Sequence, residues 1–282
     1  MHAAPPLLIA GCGDVGSRLA RRLQARGRSV LCLRRNPAVL PPDLPGCAGD
    51  LADRASLQGL PRGIREVVFL PAPAARDEAA YRAVYLHGLA NLLDVLAAGA
   101  LGRVLLVGSS AVYGEHGGEW VDEDTVPAPL GSNGTVLLQA EQLLAERLPA
   151  GVGVVLRLAG LYGPGRMHVL DALRAGRARV PREVPFYANR IHVDDAAAAL
   201  EHLLQLPQPQ ACYLGVDDHP LPLHVLYDTL ARHLGLPPPP PGPPPSGIGN
   251  KRLRNARLRA SGWTPQWPDA LAGHLAALQA AP

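Results

Sequence analysis

Apolar and polar positions follow two rhythms along the first part of this chain. Short, nearly unbroken apolar runs at residues 7–10, 29–33, 47–48, 66–70, 103–108 and 153–158 have the pattern of strands buried on both faces of a sheet. Between them, apolar residues recur three and four positions apart. Tyr81, Tyr85, Leu89, Leu92, Leu93 and Leu96 form such a stripe on a helix expected over 77–98, where both tyrosines read as core. Strands alternating with helices predict an α/β fold, a doubly wound parallel sheet of the Rossmann type. Past residue 166 the rhythm becomes irregular. A further strand is expected at 213–216 and a helix at 221–234, and Pro237 to Pro245, nearly all proline, makes a stiff extended connector. The expected organisation is a Rossmann core over 1–165, with 189–235 returning to it, and a small substrate lobe from 166–188 and 236–282.

The first strand ends in Gly11-Cys12-Gly13-Asp14-Val15-Gly16 and the chain then turns amphipathic. This strand, tight turn and helix suit a dinucleotide. Gly11 can make the turn, Gly13 lets backbone approach a pyrophosphate, and Gly16 lets the helix pack on the strand. Asp14 and Val15 open the helix, whose N–H groups and dipole attract the phosphates. The Asp14 carboxylate is expected to turn toward backbone or solvent. The second strand runs into Arg34-Arg35, where NAD sites place a carboxylate for the ribose 2′-hydroxyl. An acid there would repel a 2′-phosphate and a guanidinium can bind it, so NADP is favoured, with NAD the alternative. After the third strand, Asp50-Leu51 offers a carboxylate either to the adenine amino group or as a helix cap. Pro71 follows the fourth strand beside the expected groove. The fifth and sixth strands deliver Ser109-Ser110-Ala111-Val112-Tyr113 and Gly160-Leu161-Tyr162 at their C-terminal ends, where open α/β sheets bind ligands. Asp194 or Asp195 is expected to cap the alanine-rich helix that follows them.

Composition narrows the remaining choices. The chain has 282 residues, 48% apolar and 18% charged, with a net charge of +3. That balance is too small and dispersed to imply a nucleic-acid partner. No apolar segment is long enough for a membrane span, and the N-terminus lacks a signal-peptide pattern, so a cytoplasmic location is expected. Cys12, Cys32, Cys47 and Cys212 have no metal-ligand spacing and read as buried reduced thiols; no metal is expected. Lys251 is the only lysine. With Arg252, Arg254, Arg257 and Arg259 it forms a basic run that reads either as a solvated helix face or as an anion-facing edge of the substrate cleft.

Four segments together resemble the extended short-chain dehydrogenase/reductases, the NAD-dependent epimerase/dehydratase group. They are the glycine turn at 11–16, Ser109-Ser110-Ala111-Val112-Tyr113-Gly114, Leu156 to Arg166, and Arg190-Ile191-His192-Val193-Asp194-Asp195. The ending, from Gly249 to Trp263, is similar to an atypical bacterial subgroup. The resemblance implies a cofactor set that includes Ser109, Gly160 and Tyr162, a small-molecule substrate, and a homodimer. It also implies a Ser/Thr, a Tyr and a Lys four residues later as the proton-moving machinery. Ser109 takes the first position, but the Tyr and Lys positions hold Asn133 and Leu137, and no tyrosine in the chain has a lysine four residues on. Two readings follow. The chain is an oxidoreductase, epimerase or dehydratase on a polar, sugar-nucleotide-like substrate, with its proton carrier relocated to Tyr113, Glu115, His116 or Tyr162; or it is a non-catalytic NADP(H) sensor.

Overall fold

The structure is a computed structural model and describes residues 5–280. Its main feature is a seven-stranded sheet in the order Cys212–Gly215, Gly153–Leu158, Arg103–Ser109, Glu66–Phe69, Leu7–Ala10, Val30–Arg34, Gly46–Ala48. All neighbours run parallel. Leu7, Leu8, Ile9, Val67, Val68, Phe69, Val104, Leu105 and Leu106 are all at most 1% exposed, which is why these runs are apolar without alternation. The strand order reverses between Leu7–Ala10 and Glu66–Phe69. At such a reversal the connecting helices leave in opposite directions and open a crevice at the strands' C-terminal ends.

The strands lie within a residue or two of their expected positions, and the segment at 212–215 joins the main sheet as its seventh strand. The helix expected over 77–98 is not uniform. It runs as α-helix over Glu78–Tyr81, widens to π-type turns over Arg82–His87, and resumes over Gly88–Val95. Tyr85 is 9% exposed and donates its hydroxyl to the Pro71 carbonyl, with Tyr81 stacked on its ring. Both tyrosines are therefore packing residues.

Two compact units are present. One comprises residues up to 112 together with 131–157 and 197–213, and the other 113–130, 158–196 and 214 onward. These divisions differ from the expected 1–165 core: 113–130, 158–165, 189–196 and 214–235 cluster with the second unit. In that unit short strands pair locally, Gly160–Tyr162 with Arg190–His192 and Trp120–Val121 with Arg252–Leu253. Leu170, Leu173, Phe186, Leu226 and Leu230 form its own apolar cluster. The proline connector is held along residues 180–182: Val180 donates to the Pro240 carbonyl, Gly242 donates back to Val180, and Arg182 donates to Pro239.

The helix Val193–Gln205 starts differently from expectation. His192 Nδ1 accepts the Asp194 N–H, so an imidazole takes part in closing this end. Asp195 is 2% exposed, and its two oxygens accept the N–H groups of Gln266 and Trp267, tying down the C-terminal segment. Asp217 does the same for the helix Ala270–Ala280 by accepting the Ala270 N–H. Burial pushes the Asp217 carboxyl up to about 8, against about 3.9 in an unfolded chain. Between those values the folded state holds a proton that the unfolded state releases, so this group lowers stability progressively as pH rises through that window. Asp217→Asn keeps the acceptor and removes the titration. The melting temperature of the variant relative to the parent is expected to climb from pH 5 to pH 8; a difference flat across that range would show that Asp217 ionises freely.

Candidate cofactor and active site

The Gly11 to Gly16 turn meets each steric demand of its sequence separately. Gly11 has φ +86°, and a Cβ there would lie 2.4 Å from the Pro71 Cα, so only glycine fits. At Gly13 a Cβ would meet nothing closer than Gly11 O at 3.9 Å; the space before it is open, and a side chain would fill that cradle. At Gly16 a Cβ would press on Ile9 at 3.2 Å and on the Cys12 sulfur at 3.3 Å, so the glycine sets the helix against the strand. The helix Asp14–Ala25 has no side-chain cap. Its first-turn N–H groups, those of Val15 and Gly16 among them, have no partner within the helix and adjoin the cradle. This uncapped terminus, with open space where a side chain would stand, fits a phosphate-bearing cofactor. Asp14 accepts Arg18 Nε at 2.8 Å, so its carboxylate turns along the helix to a side chain, rather than to backbone or solvent alone.

A pocket of about 260 Å³ lies at the ends of the first four strands. It falls just below the roughly 300–1,000 Å³ that encloses a whole drug-sized ligand, so it accounts for one end of a dinucleotide. Gly11, Gly13, Arg34, Arg35, Asp50, Leu51 and Pro71 border it. Sequence reading missed its far wall, Ala74, Ala80, Ala83 and Val84, because small apolar residues on a helix carry no chemical signal. Asp50 accepts the Ala52 N–H in a local turn, while the cap of the short helix Arg54–Leu57 is Asp53. Arg18, Arg21, Arg22, Arg26 and Arg28 are all paired with carboxylates. Among the described residues no carboxylate pairs with Arg34 or Arg35, half-buried and exposed at the pocket's edge.

Ser109 ends its strand half-buried, and its Oγ accepts the Ala111 N–H, which leaves the hydroxyl proton to donate. Behind this strand, Arg157 and Glu141 form a buried bidentate pair, with Nε to Oε1 at 3.0 Å and Nη2 to Oε2 at 2.7 Å. Gly108 makes room for it, since a Cβ there would stand 3.2 Å from the Glu141 carboxylate. Leu137 is 4% exposed on the helix Ser132–Arg147.

The second unit holds the remaining candidates. Tyr113 is 1% exposed and donates its hydroxyl to the Asp122 carbonyl, a packing arrangement. Both oxygens of Glu115 accept backbone N–H groups, from Gly117 and Asn250; these bonds outweigh the opposing effect of burial and hold the carboxyl below its usual range. Tyr162 is 2% exposed, stacked on His274 at 4.5 Å and edge-on to His192 at 5.2 Å. Burial pushes its phenol upward, so this ring is a core element and its position offers no support for the expected contact with cofactor. The Tyr162 hydroxyl and His116 Nε2 are both buried with no hydrogen-bond partner.

The basic run is divided: Arg254 and Arg259 are exposed, as the solvated reading expects, and the other three cations make contacts within the chain. Lys251 is 3% exposed and donates to the Gly249 carbonyl. Arg252 lies between the Trp120 and Tyr187 rings, 4.9 Å from each, and Arg257 pairs with Asp124 at 2.6 Å. These cations are spent on internal contacts. Cys12 and Cys32 are buried and Cys47 and Cys212 half-buried; none of the four is in a disulfide, and no metal cluster is present among the described residues. No helix is long and apolar enough to cross a membrane.

Comparison with known proteins gives this geometry a family. The model of the NAD-dependent epimerase/dehydratase family matches residues 7–215. The chain belongs to that family. A 3-diazoavenalumate denitrifying reductase from a Streptomyces species is 32% identical to this family member over 255 residues, 83% of each chain. A structure from Methylobacillus flagellatus, classed as an NAD-dependent epimerase/dehydratase, superposes with a TM-score of 0.81 at 35% identity over 99% of both chains. MoeE5, solved with UDP-glucuronic acid and NAD, shares the fold at a TM-score of 0.80 and 24% identity, over 97% of this chain and 99% of its own.

Proposed function

We propose that this family member is an NADP(H)-dependent oxidoreductase that acts on a polar, sugar-nucleotide-like substrate without the Tyr/Lys pair. The observation that carries the reading is the unpaired Arg34 and Arg35 at the edge of the dinucleotide pocket. A 2′-phosphate supplies the anion that no side chain provides there, and an acid at this place would have selected NAD. The reductase relative and the UDP-sugar complex of MoeE5 support the reaction type and substrate class.

When bound, the nicotinamide supplies or accepts the hydride; the chain's residues do the rest. The uncapped helix terminus holds the pyrophosphate, and Asp50 and Leu51 bound the adenosine end. Ser109 donates its hydroxyl proton in a hydrogen bond to the substrate oxygen. Of the four candidate proton carriers, Tyr113 and Glu115 are committed to backbone groups, whereas His116 Nε2 and the Tyr162 hydroxyl have no hydrogen-bond partner. A positioned acid/base group contributes roughly 10²–10⁴ in rate.

The test is titration of the cofactor-stripped protein with NADPH and NADH at matched salt, followed by carbonyl and sugar-nucleotide compounds read at the nicotinamide absorbance. NADPH is expected to bind at least about tenfold tighter, a difference of about 1.4 kcal/mol. Of His116→Ala and Tyr162→Phe, the variant that removes the proton carrier is expected to lower kcat by roughly 10²–10⁴ with KM little changed. Binding with no turnover across the panel would make the chain an NADP(H) sensor, and a preference for NADH would end the arginine assignment.

A further inference from the structure

Cys12 occupies the position between the two glycines of the dinucleotide turn, and its sulfur lies 3.1 Å from that of Cys32 on the neighbouring strand. Both residues are fully buried. The chain approaches itself closely here: Gly11 donates its N–H to the Leu33 carbonyl, one residue beyond Cys32. We propose that Cys12 and Cys32 form a reversible disulfide under peroxide and that this bond switches off dinucleotide binding. The inference rests on the cofactor reading above and adds a means of regulating that site.

The two sulfurs have different roles. Cys12 stands just before an uncapped helix N-terminus, a place that favours thiolate. Its hydrogen bond with Cys32 holds its thiol below the usual range against the effect of burial, with smaller help from Ser17 and the Arg34 charge. The same bond and burial push the Cys32 thiol up. Cys12 is thus the attacking sulfur and Cys32 the resolving one; both are closed to solvent, so peroxide has to enter beside Gly11 and Gly13, which flank Cys12 and line the pocket. The Cys12 thiolate attacks one peroxide oxygen; an S–O bond forms, the O–O bond breaks, and the departing hydroxide leaves as water with the proton Cys12 had released. Cys32 then attacks the Cys12 sulfur. The S–S bond forms as the S–O bond breaks, and the hydroxyl leaves as a second water with the Cys32 proton. Two thiols lose two electrons, and one peroxide is reduced to two waters.

Closing the bond brings the sulfurs to about 2.05 Å. The turn has no slack for this movement. Gly11 already abuts Pro71, and a Cβ on Gly16 would stand 3.3 Å from the Cys12 sulfur, so the strain falls on the backbone between them, which forms the phosphate cradle. Cys47 sits close enough for its charge to raise Cys32 further and is the competing partner.

The experiment treats the reduced full-length chain with hydrogen peroxide, maps its peptides without reductant, and titrates both forms with NADPH. A Cys12–Cys32 linked peptide is expected, with a mass loss of about 2 Da per chain. NADPH affinity should fall at least about tenfold and return with dithiothreitol. Cys32→Ala should abolish the peroxide effect, and Cys47→Ala should retain it. A Cys32–Cys47 link, a sulfinate on Cys12 with no link, or a Cys12–Cys32 link that leaves NADPH affinity unchanged would each overturn the proposal. Absence of dinucleotide binding by the reduced protein would overturn the cofactor reading and the switch together, and the peptide map would still report separately whether the bond forms.

Discussion

Replacing Arg34 and Arg35 together by alanine is expected to weaken NADPH binding by roughly ten- to a hundredfold while leaving NADH binding within about twofold. Hydrogen bonds to an ionised partner contribute about 1.5–3 kcal/mol each, more than neutral ones. The full value for two arginines is not expected, because Arg35 is exposed and water screens its charge. The selectivity separates a specific site from general electrostatics. A basic loop that attracted any anion would lose both dinucleotides in parallel, since each carries the pyrophosphate; a 2′-phosphate clamp loses only the one with the extra phosphate. Raising salt should narrow the parent's preference more than the variant's. Parallel loss of NADH and NADPH would assign the arginines to the loop alone.

The largest stability effect is expected from the Glu141–Arg157 pair. Arg157→Leu leaves a buried carboxylate without its partner, and breaking such a pair by removing one member costs about 3–5 kcal/mol. At roughly 2–4 °C per kcal/mol for chains of this size, thermal unfolding should shift by about 10 °C. The double variant Glu141→Leu/Arg157→Leu removes both charges and is expected to recover most of the loss, because desolvating an ion pair consumes much of what the pair returns. Denaturant midpoints of the two single variants and the double variant complete the cycle. Additive losses would show that the two side chains do not act together. The pair also backs Gly108, one residue before Ser109, so the single variants should lose activity beyond their loss of folded protein, and the double variant should regain part of it.

Features of this molecule that depend on neighbouring residues were legible in its sequence. The strands Leu7–Ala10, Arg103–Ser109 and Gly153–Leu158 follow directly from apolar runs, and the glycine turn is carried by six consecutive residues, although the neighbour that excludes a side chain at Gly11 is the distant Pro71. Features that depend on distant partners were not. An acid in the first turn of a helix is commonly a cap, and nothing in the local sequence reveals that Asp195 instead holds backbone at Gln266 and Trp267. The solvated reading holds for Arg254 and Arg259, but nothing local reveals that Arg252 packs between Trp120 and Tyr187 or that Lys251 is buried. A stripe of apolar residues marks a helix without marking the wider turns at Arg82–His87, because one extra residue per turn hardly disturbs the stripe. At the candidate site, the arginines were legible from their place after the second strand. The commitment of Tyr113 to a backbone carbonyl and the enclosure of Tyr162 were not, because a tyrosine's hydroxyl partner can lie anywhere in the chain.

The burial of Lys251 also determines what the outside of this protein can become. Every other side-chain cation is an arginine, and the one primary amine among the side chains is 3% exposed. Acetylation, ubiquitin-like conjugation and other acyl transfers to lysine therefore find no target on the folded surface. Its positive charges are guanidinium groups that keep their proton through any physiological pH. The charge that arginine gives this exterior is thus permanent for as long as the chain stays folded, and enzymes that acylate lysine cannot adjust it.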